Sequence, residues 1–216
     1  VPEPQMCATV MPDSDLIAVV ESALAGDALH GLQGEQYDVM LRVGGEGADP
    51  DQDLYASKAL QIAARIPPDR TPNQNPFLDE IDASTSASAD GFVLPLGRCV
   101  DQASPIVVPP DTTVHIMPVE PPGIHEVYTI PTLDGQLDTF TESITYQWTA
   151  GAGSFSTGMT GGARDIFGNM PPIGNDWTSP SAHDLKGETM DVPIWIVQRD
   201  ERLGAAWFES CLRVAP

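Results

Sequence analysis

Val192-Pro-Ile-Trp-Ile-Val-Gln-Arg-Asp200 runs into the polar turn Arg199-Asp-Glu-Arg-Leu-Gly204, and a second apolar run follows from Ala206 to Val214. Two runs of strand length joined by a short turn ending in glycine read as a β-hairpin. Toward the N-terminus the same rhythm continues. Ser143-Ile-Thr-Tyr-Gln-Trp148, Gly153-Ser-Phe-Ser156, Gly161-Gly162 and Trp177-Thr-Ser-Pro180 alternate strand material with turn residues. Ile106, Val107 and Val108, then Val114 and Ile116, supply further strands around Pro109-Pro110-Asp111, where a proline pair implies a bulge or an edge crossing. Glu126 to Pro131 adds one more. Many short strands with punctuated turns predict an all-β sandwich.

At 216 residues and 41% hydrophobic content, the chain can bury a core and is long enough for one large or two modest domains. Its composition breaks at Pro67-Pro68-Asp69-Arg70-Thr71-Pro72-Asn73-Gln74-Asn75-Pro76, where proline removes donors and restricts the residue before it. The boundary placed there gives a small β-rich N-terminal module, residues 1–70, and a sandwich, residues 71–216. In the first module, Tyr37 to Val43 and Ala59 to Ile66 alternate apolar and polar residues as strands do. Leu16, Ile17, Val20, Ala23 and Leu24 fit either a helix or a buried strand. Asp82 to Gly91 is rich in Ser, Ala and Asp and reads as a surface loop.

The charge excludes several function classes. There are 31 Asp and Glu against 10 Lys and Arg, a net charge of -21, and the only lysines are Lys58 and Lys186. Such a surface repels phosphate backbones and anionic headgroups, so nucleic-acid and peripheral membrane binding are not expected. No run of about 18 apolar residues occurs, so no helical membrane span is expected. The chain opens at Val1 rather than Met, which reads as a mature form whose leader has been removed.

Cys7, Cys99 and Cys211 allow three single pairings and leave one thiol over. Cys99 with Cys211 is the expected pair, because Cys211 lies in the last strand and Cys99 precedes a strand that would run beside it. Such a bond implies an oxidising compartment; the alternative is buried free thiols in a reduced protein. Pro4-Gln-Met6 before Cys7 lacks the small residue that precedes a lipidated cysteine.

The pieces Asn75-Pro-Phe-Leu-Asp-Glu-Ile81, Pro105 to Val114, Tyr146-Gln-Trp148, Ala152-Gly-Ser-Phe155, Trp177-Thr-Ser-Pro180 and Val197-Gln-Arg-Asp200 with Gly204 occur in that order. Through them the chain resembles the immunoglobulin-like, polycystic-kidney-disease-type modules of bacterial surface and secreted lipoproteins. The resemblance covers residues 73–215 and implies an immunoglobulin-like β-sandwich. It departs from the compact modules through the insertions 83–98, 121–138 and 158–175. Such modules serve as spacers, adhesive units or envelope subunits and carry no catalytic residues to transfer, so the insertions are where distinctive binding is expected.

Candidate chemistry is sparse. Asp49-Pro-Asp51-Gln-Asp53 has the alternating carboxylates of a calcium loop, but Leu54 and Leu60 stand where glycine and glutamate belong. Asp165, Asp176, Asp184 and Asp191 are loop acids without diagnostic spacing. His30, His115, His125 and His183 form no zinc motif, and neither a nucleophile elbow nor a complete dinucleotide fingerprint is present. Among the tryptophans, Trp148 and Trp195 sit with core-type neighbours and are expected inside. Trp177 and Trp207 have polar or small neighbours and are the candidates for an exposed carbohydrate platform. Ile166, Phe167, Met170 and Ile173, set among glycines and prolines, form a candidate protein-docking patch. These readings converge on a non-catalytic, extracytoplasmic structural or adhesive subunit working through protein–protein contacts. The alternative is a carbohydrate-binding module.

Overall fold

The computed structural model describes residues 18, 22, 35–44, 49–62, 71–86, 88–132 and 134–216. Within residues 16–24, only Ala18 and Ser22 are described, and both are helical. Residues 63–66, Cys7 and His30 lie outside the described residues. By its internal contacts the chain divides into two units, one of residues 1–71 with 130–138 and one of residues 72–129 with 139–216.

The first unit carries a two-stranded antiparallel ribbon, β1 (Glu35–Val43) and β2 (Leu54–Ile62), with a single turn of 3-10 helix at Pro50–Gln52 between the strands. β2 begins at Leu54, five residues before the Ala59 read from the sequence, so the alternation there extends closer to the acidic turn.

The second unit is the sandwich. The strands that follow are β3 (Glu80–Thr85), β4 (Ser88–Val93), β5 (Ile106–Val108), β6 (Thr113–Val119), β7 (Val127–Pro131), β8 (Leu137–Thr141), β9 (Ile144–Ala150), β10 (Ser154–Phe155), β11 (Met159–Gly161), β12 (Asn175–Thr178), β13 (Met190–Asp200) and β14 (Ala205–Val214), of which residues 130–131 of β7 and 137–138 of β8 fall in the first unit. One five-stranded sheet, here the back sheet, has the order β10-β12-β6-β3-β4, and the front sheet has the order β11-β9-β13-β14-β5. β7 and β8 form a separate hairpin. The pairings within both five-stranded sheets are antiparallel except β5 with β14, which is parallel. Pro109-Pro110 ends β5 in the front sheet, and β6 resumes in the back one, so the proline pair marks a crossing between layers.

Side-chain alternation builds the core. Ile81 and Ala83 of β3, Val114 and Ile116 of β6 and Trp177 of β12 point inward from the back sheet. Ile144, Tyr146 and Trp148 of β9, Val192, Ile194 and Ile196 of β13, and Leu212 and Val214 of β14 meet them from the front. Each large aliphatic side chain removed from water contributes about 1.5–3 kcal/mol before the entropy of ordering it. Asp82 to Gly91 is not a loop: it forms most of the β3–β4 hairpin, which extends the back sheet, with Ile81 and Ala83 buried on the core side of β3. Small residues hide that alternation, because Ala and Ser differ little in hydropathy.

Cys99 and Cys211 form a disulfide with Cα atoms 4.7 Å apart. Cys99 sits in the 3-10 turn Cys99–Asp101, and Cys211 lies opposite Pro193 on the outer face of the front sheet. The bond therefore clips the approach to β5 onto β14 instead of joining the two sheets through the core. Backbone hydrogen bonding supports it, the Cys99 N–H donating to Glu209 Oε1 at 2.8 Å and the Gly97 N–H to the Glu209 carbonyl at 2.8 Å. Among the described residues, no helix is long and apolar enough to cross a membrane.

Candidate functional site

In the ribbon, Tyr37 stands opposite Leu60, Val39 opposite Lys58, Leu41 opposite Ala56 and Val43 opposite Leu54. Because directly opposite residues share a face, seven of these eight side chains build one apolar surface. Its large members, Tyr37, Val39, Leu41, Val43, Leu54 and Leu60, are 38% to 73% exposed. The other face is mixed. Gln36 Nε2 donates to Asp38 Oδ1 at 3.1 Å, Arg42 pairs with Asp53, and the Arg42 guanidinium lies 6.0 Å from the centre of the Tyr55 ring. Among the described residues the ribbon pairs with no further strand, and this face carries its apolar side chains to the surface.

The three aspartates read as a calcium loop border this ribbon but do not converge. Asp53 gives its carboxylate to Arg42, and Asp49 Oδ1 accepts from the Asp51 N–H at 3.1 Å. Among the described residues, no group of three or more His, Cys, Asp and Glu side chains is placed to hold a metal ion.

In the sandwich, the connection from β11 to β12 carries a self-bonded turn, residues 165–169. Asp165 Oδ1 accepts from the Phe167 and Asn169 N–H groups at 2.8 and 2.9 Å, Asp165 Oδ2 accepts from Asn169 Nδ2 at 2.9 Å, and Arg164 donates to the Gly168 carbonyl at 2.8 Å. These hydrogen bonds hold the Asp165 carboxyl below the ordinary carboxylate range. The turn presents Ile166 and Phe167 almost fully to solvent, 93% and 82% exposed, with Met170 half exposed beside them. An ordered turn with apolar side chains at its tip loses little entropy on docking.

The tryptophans divide differently from the sequence reading. Trp177 is fully buried, its Nε1 donating to the Ala152 carbonyl at 3.1 Å. It cannot serve as a sugar platform. The polar neighbours that made it look exposed, Asp176 and Thr178, occupy the opposite face of β12. Gly153, at φ +74°, lies so close that a Cβ there would sit 2.8 Å from the Trp177 Nε1. Trp195 is also corrected. It lies on the outer, half-exposed side of β13, while Ile194 and Ile196 point inward. Trp148 is buried, bonded through Nε1 to Thr160 Oγ1 at 2.8 Å and packed on Phe155, and Trp207 is 54% exposed.

The outer face of the back sheet holds an open depression of about 460 Å³ lined by Asp82, Ser84, Phe92, His115 and Met117 among others. Ser84, His115 and Asp176 lie opposite one another on β3, β6 and β12, and His115 Nδ1 is 2.7 Å from Asp176 Oδ1. Among the described residues, no hydrogen bond joins Ser84 to His115.

No protein-family model matches the chain, and neither a curated protein nor a solved structure gives a significant match. What the molecule does is accordingly read from its own surfaces.

One end of the sandwich is polar inside. Arg202 NH1 lies 3.1 Å from Glu142 Oε1 and 3.6 Å from Glu126 Oε2, and its guanidinium stacks on Tyr128 at 4.7 Å. Asp200 Oδ1 accepts the N–H groups of Arg202 and Gly204 at 2.8 and 2.7 Å, and Asn73 Nδ2 donates to Asp200 Oδ2 at 3.0 Å. Tyr146 donates to Glu120, which also faces His125 Nε2 at 3.1 Å. Burial first, then hydrogen bonding to Glu201, pushes the Tyr128 hydroxyl up to about 12. Burial first, then the charge of Asp200, holds the Glu142 carboxyl above its ordinary value despite Arg202. A raised folded-state value means that Glu142 favours the fold at low pH and opposes it as pH rises through that value. Glu142→Gln is therefore expected to melt higher than wild type at neutral pH, with the gap closing in acid. Thermal melts of both proteins from pH 4 to 8 check this; a gap independent of pH overturns it.

Proposed function

We propose that the chain is a non-catalytic, extracytoplasmic subunit of a cell-envelope or extracellular assembly, and that it docks a partner protein through the apolar face of the β1–β2 ribbon. One observation carries the reading: seven apolar side chains stand in register on one face of a two-stranded ribbon, and the six large ones among them are exposed. The self-bonded turn bearing Ile166 and Phe167 offers a second, smaller contact of the same kind. The Cys99–Cys211 bond favours an oxidising compartment, and the net charge of -21 favours a partner with basic groups around its apolar pocket. The sandwich with its immunoglobulin-like order of pieces fits a scaffold that displays binding elements and has no catalytic role of its own.

Cross-linking tests the proposal directly because only two lysines exist, and Lys58 stands on the apolar face while Lys186 does not. In the native complex, reproducible cross-links from Lys58 to one partner are expected, and Leu41→Asp with Val43→Asp should abolish them while the sandwich still melts cooperatively. A monomer without Lys58 cross-links, or cross-links that survive both substitutions, sinks the reading.

A further inference from the structure

Register on the front sheet brings together side chains that belong to neither the ribbon nor the exposed turn. On its outer face, Val197 of β13 stands between Gln147 of β9 and Trp207 of β14, and Trp195 stands next to Thr149. Trp195 and Trp207 are thus diagonal neighbours on adjacent strands, with backbones about 7–8 Å apart, on one side of the antiparallel front sheet. Trp207 is 54% exposed, Trp195 is partly exposed, and Gln147 and Thr149 are exposed as well. Arg199 Nε donates to Gln147 Oε1 at 3.2 Å, which fixes that amide and leaves its NH₂ as the donor. The clip at Cys211, four residues along β14 from Trp207, ties the strand beneath this platform to the turn carrying Cys99.

We propose that this face binds a neutral polysaccharide, with pyranose rings lying flat on Trp207 and Trp195 and their hydroxyls meeting Gln147 and Thr149. The chemistry selects that occupant. Sugars present an apolar C–H face and a hydroxyl edge, which suits indole rings interleaved with an amide and a hydroxyl. A net charge of -21 opposes an anionic polymer. The platform is distinct from the ribbon, so it stands or falls independently of the docking reading.

Affinity electrophoresis of the full chain in gels containing xylan, glucomannan, β-glucan or alginate, with pull-down on insoluble cellulose and chitin, tests it. Retention by at least one neutral polymer is expected, and none by alginate. Trp207→Ala and Trp195→Ala should each weaken that retention at least tenfold, and Trp207→Tyr should recover part of it. Ile166→Ser with Phe167→Ser should leave retention unchanged. Each variant's thermal melt separates a lost platform from a lost fold. Failure to bind any neutral polymer overturns the proposal, as does undiminished binding in both tryptophan variants, or loss of binding in the turn variant alone.

Discussion

Replacing both Cys99 and Cys211 by alanine is expected to cost about 4–5 kcal/mol, because the bond closes a loop spanning a sequence separation of 112 and a loop of that length carries a large entropy in the unfolded chain. For a domain of this size, the loss corresponds to a fall in Tm of roughly 10–20 °C. Wild type melted in reductant should then track the double variant, and the double variant should ignore reductant. Coincident melts of oxidised and reduced wild type would show that the bond contributes nothing. Cys7 is retained in both proteins, so the comparison isolates the one bridge.

The second large effect is expected at the polar end of the sandwich. Arg202 is the cation that faces Glu142 and Glu126, and the side chains of Arg202 and Glu142 are only 13% and 2% exposed. Arg202→Met removes the partner and leaves a buried carboxylate beside Asp200, a change that costs about 3–5 kcal/mol when a buried pair is broken from one side. Adding Glu142→Gln should raise stability more in the Arg202→Met background than in wild type, since the stranded charge disappears with it. Denaturant titrations of the two single variants and the double variant measure the coupling. An equal effect of Glu142→Gln with and without Arg202 would mean that the two groups stand independently.

That polar end also explains where the sequence misleads. In β13 the residues from Val192 to Val197 are apolar on both faces, so the phase of the strand cannot be read from them. Polarity alone would turn Gln198 and Asp200 outward. They point inward because Tyr146, Asn73 and the backbone of residues 202–204 hydrogen-bond them there, partners that the fold brings from far along the chain. The same phase puts Trp195 outside. In β12, four residues are too few to establish a phase, and Trp177 goes inward opposite Val114. The β13–β14 hairpin, the crossing at Pro109-Pro110 and the Cys99–Cys211 pair are legible because each rests on local punctuation or strand order. The ribbon was half legible. Its first strand alternates clearly, but the acidic residues before Leu54 read as an ion loop and obscured the start of the second, hence the apolar face.

The clip on β14 has a mechanical consequence. Were this molecule to bear tension between neighbours attached outside residues 99–211, the covalent bridge would keep the enclosed segment from paying out even if the sheets sheared apart. With a sequence separation of 112 and about 3.5 Å of contour per extended residue, roughly 390 Å of slack stays locked away. The segment between the two cysteines would behave under load as a short, nearly inextensible link while β3 and β4, which precede Cys99, could still unravel, and reduction of one bond would turn that segment into a long compliant tether.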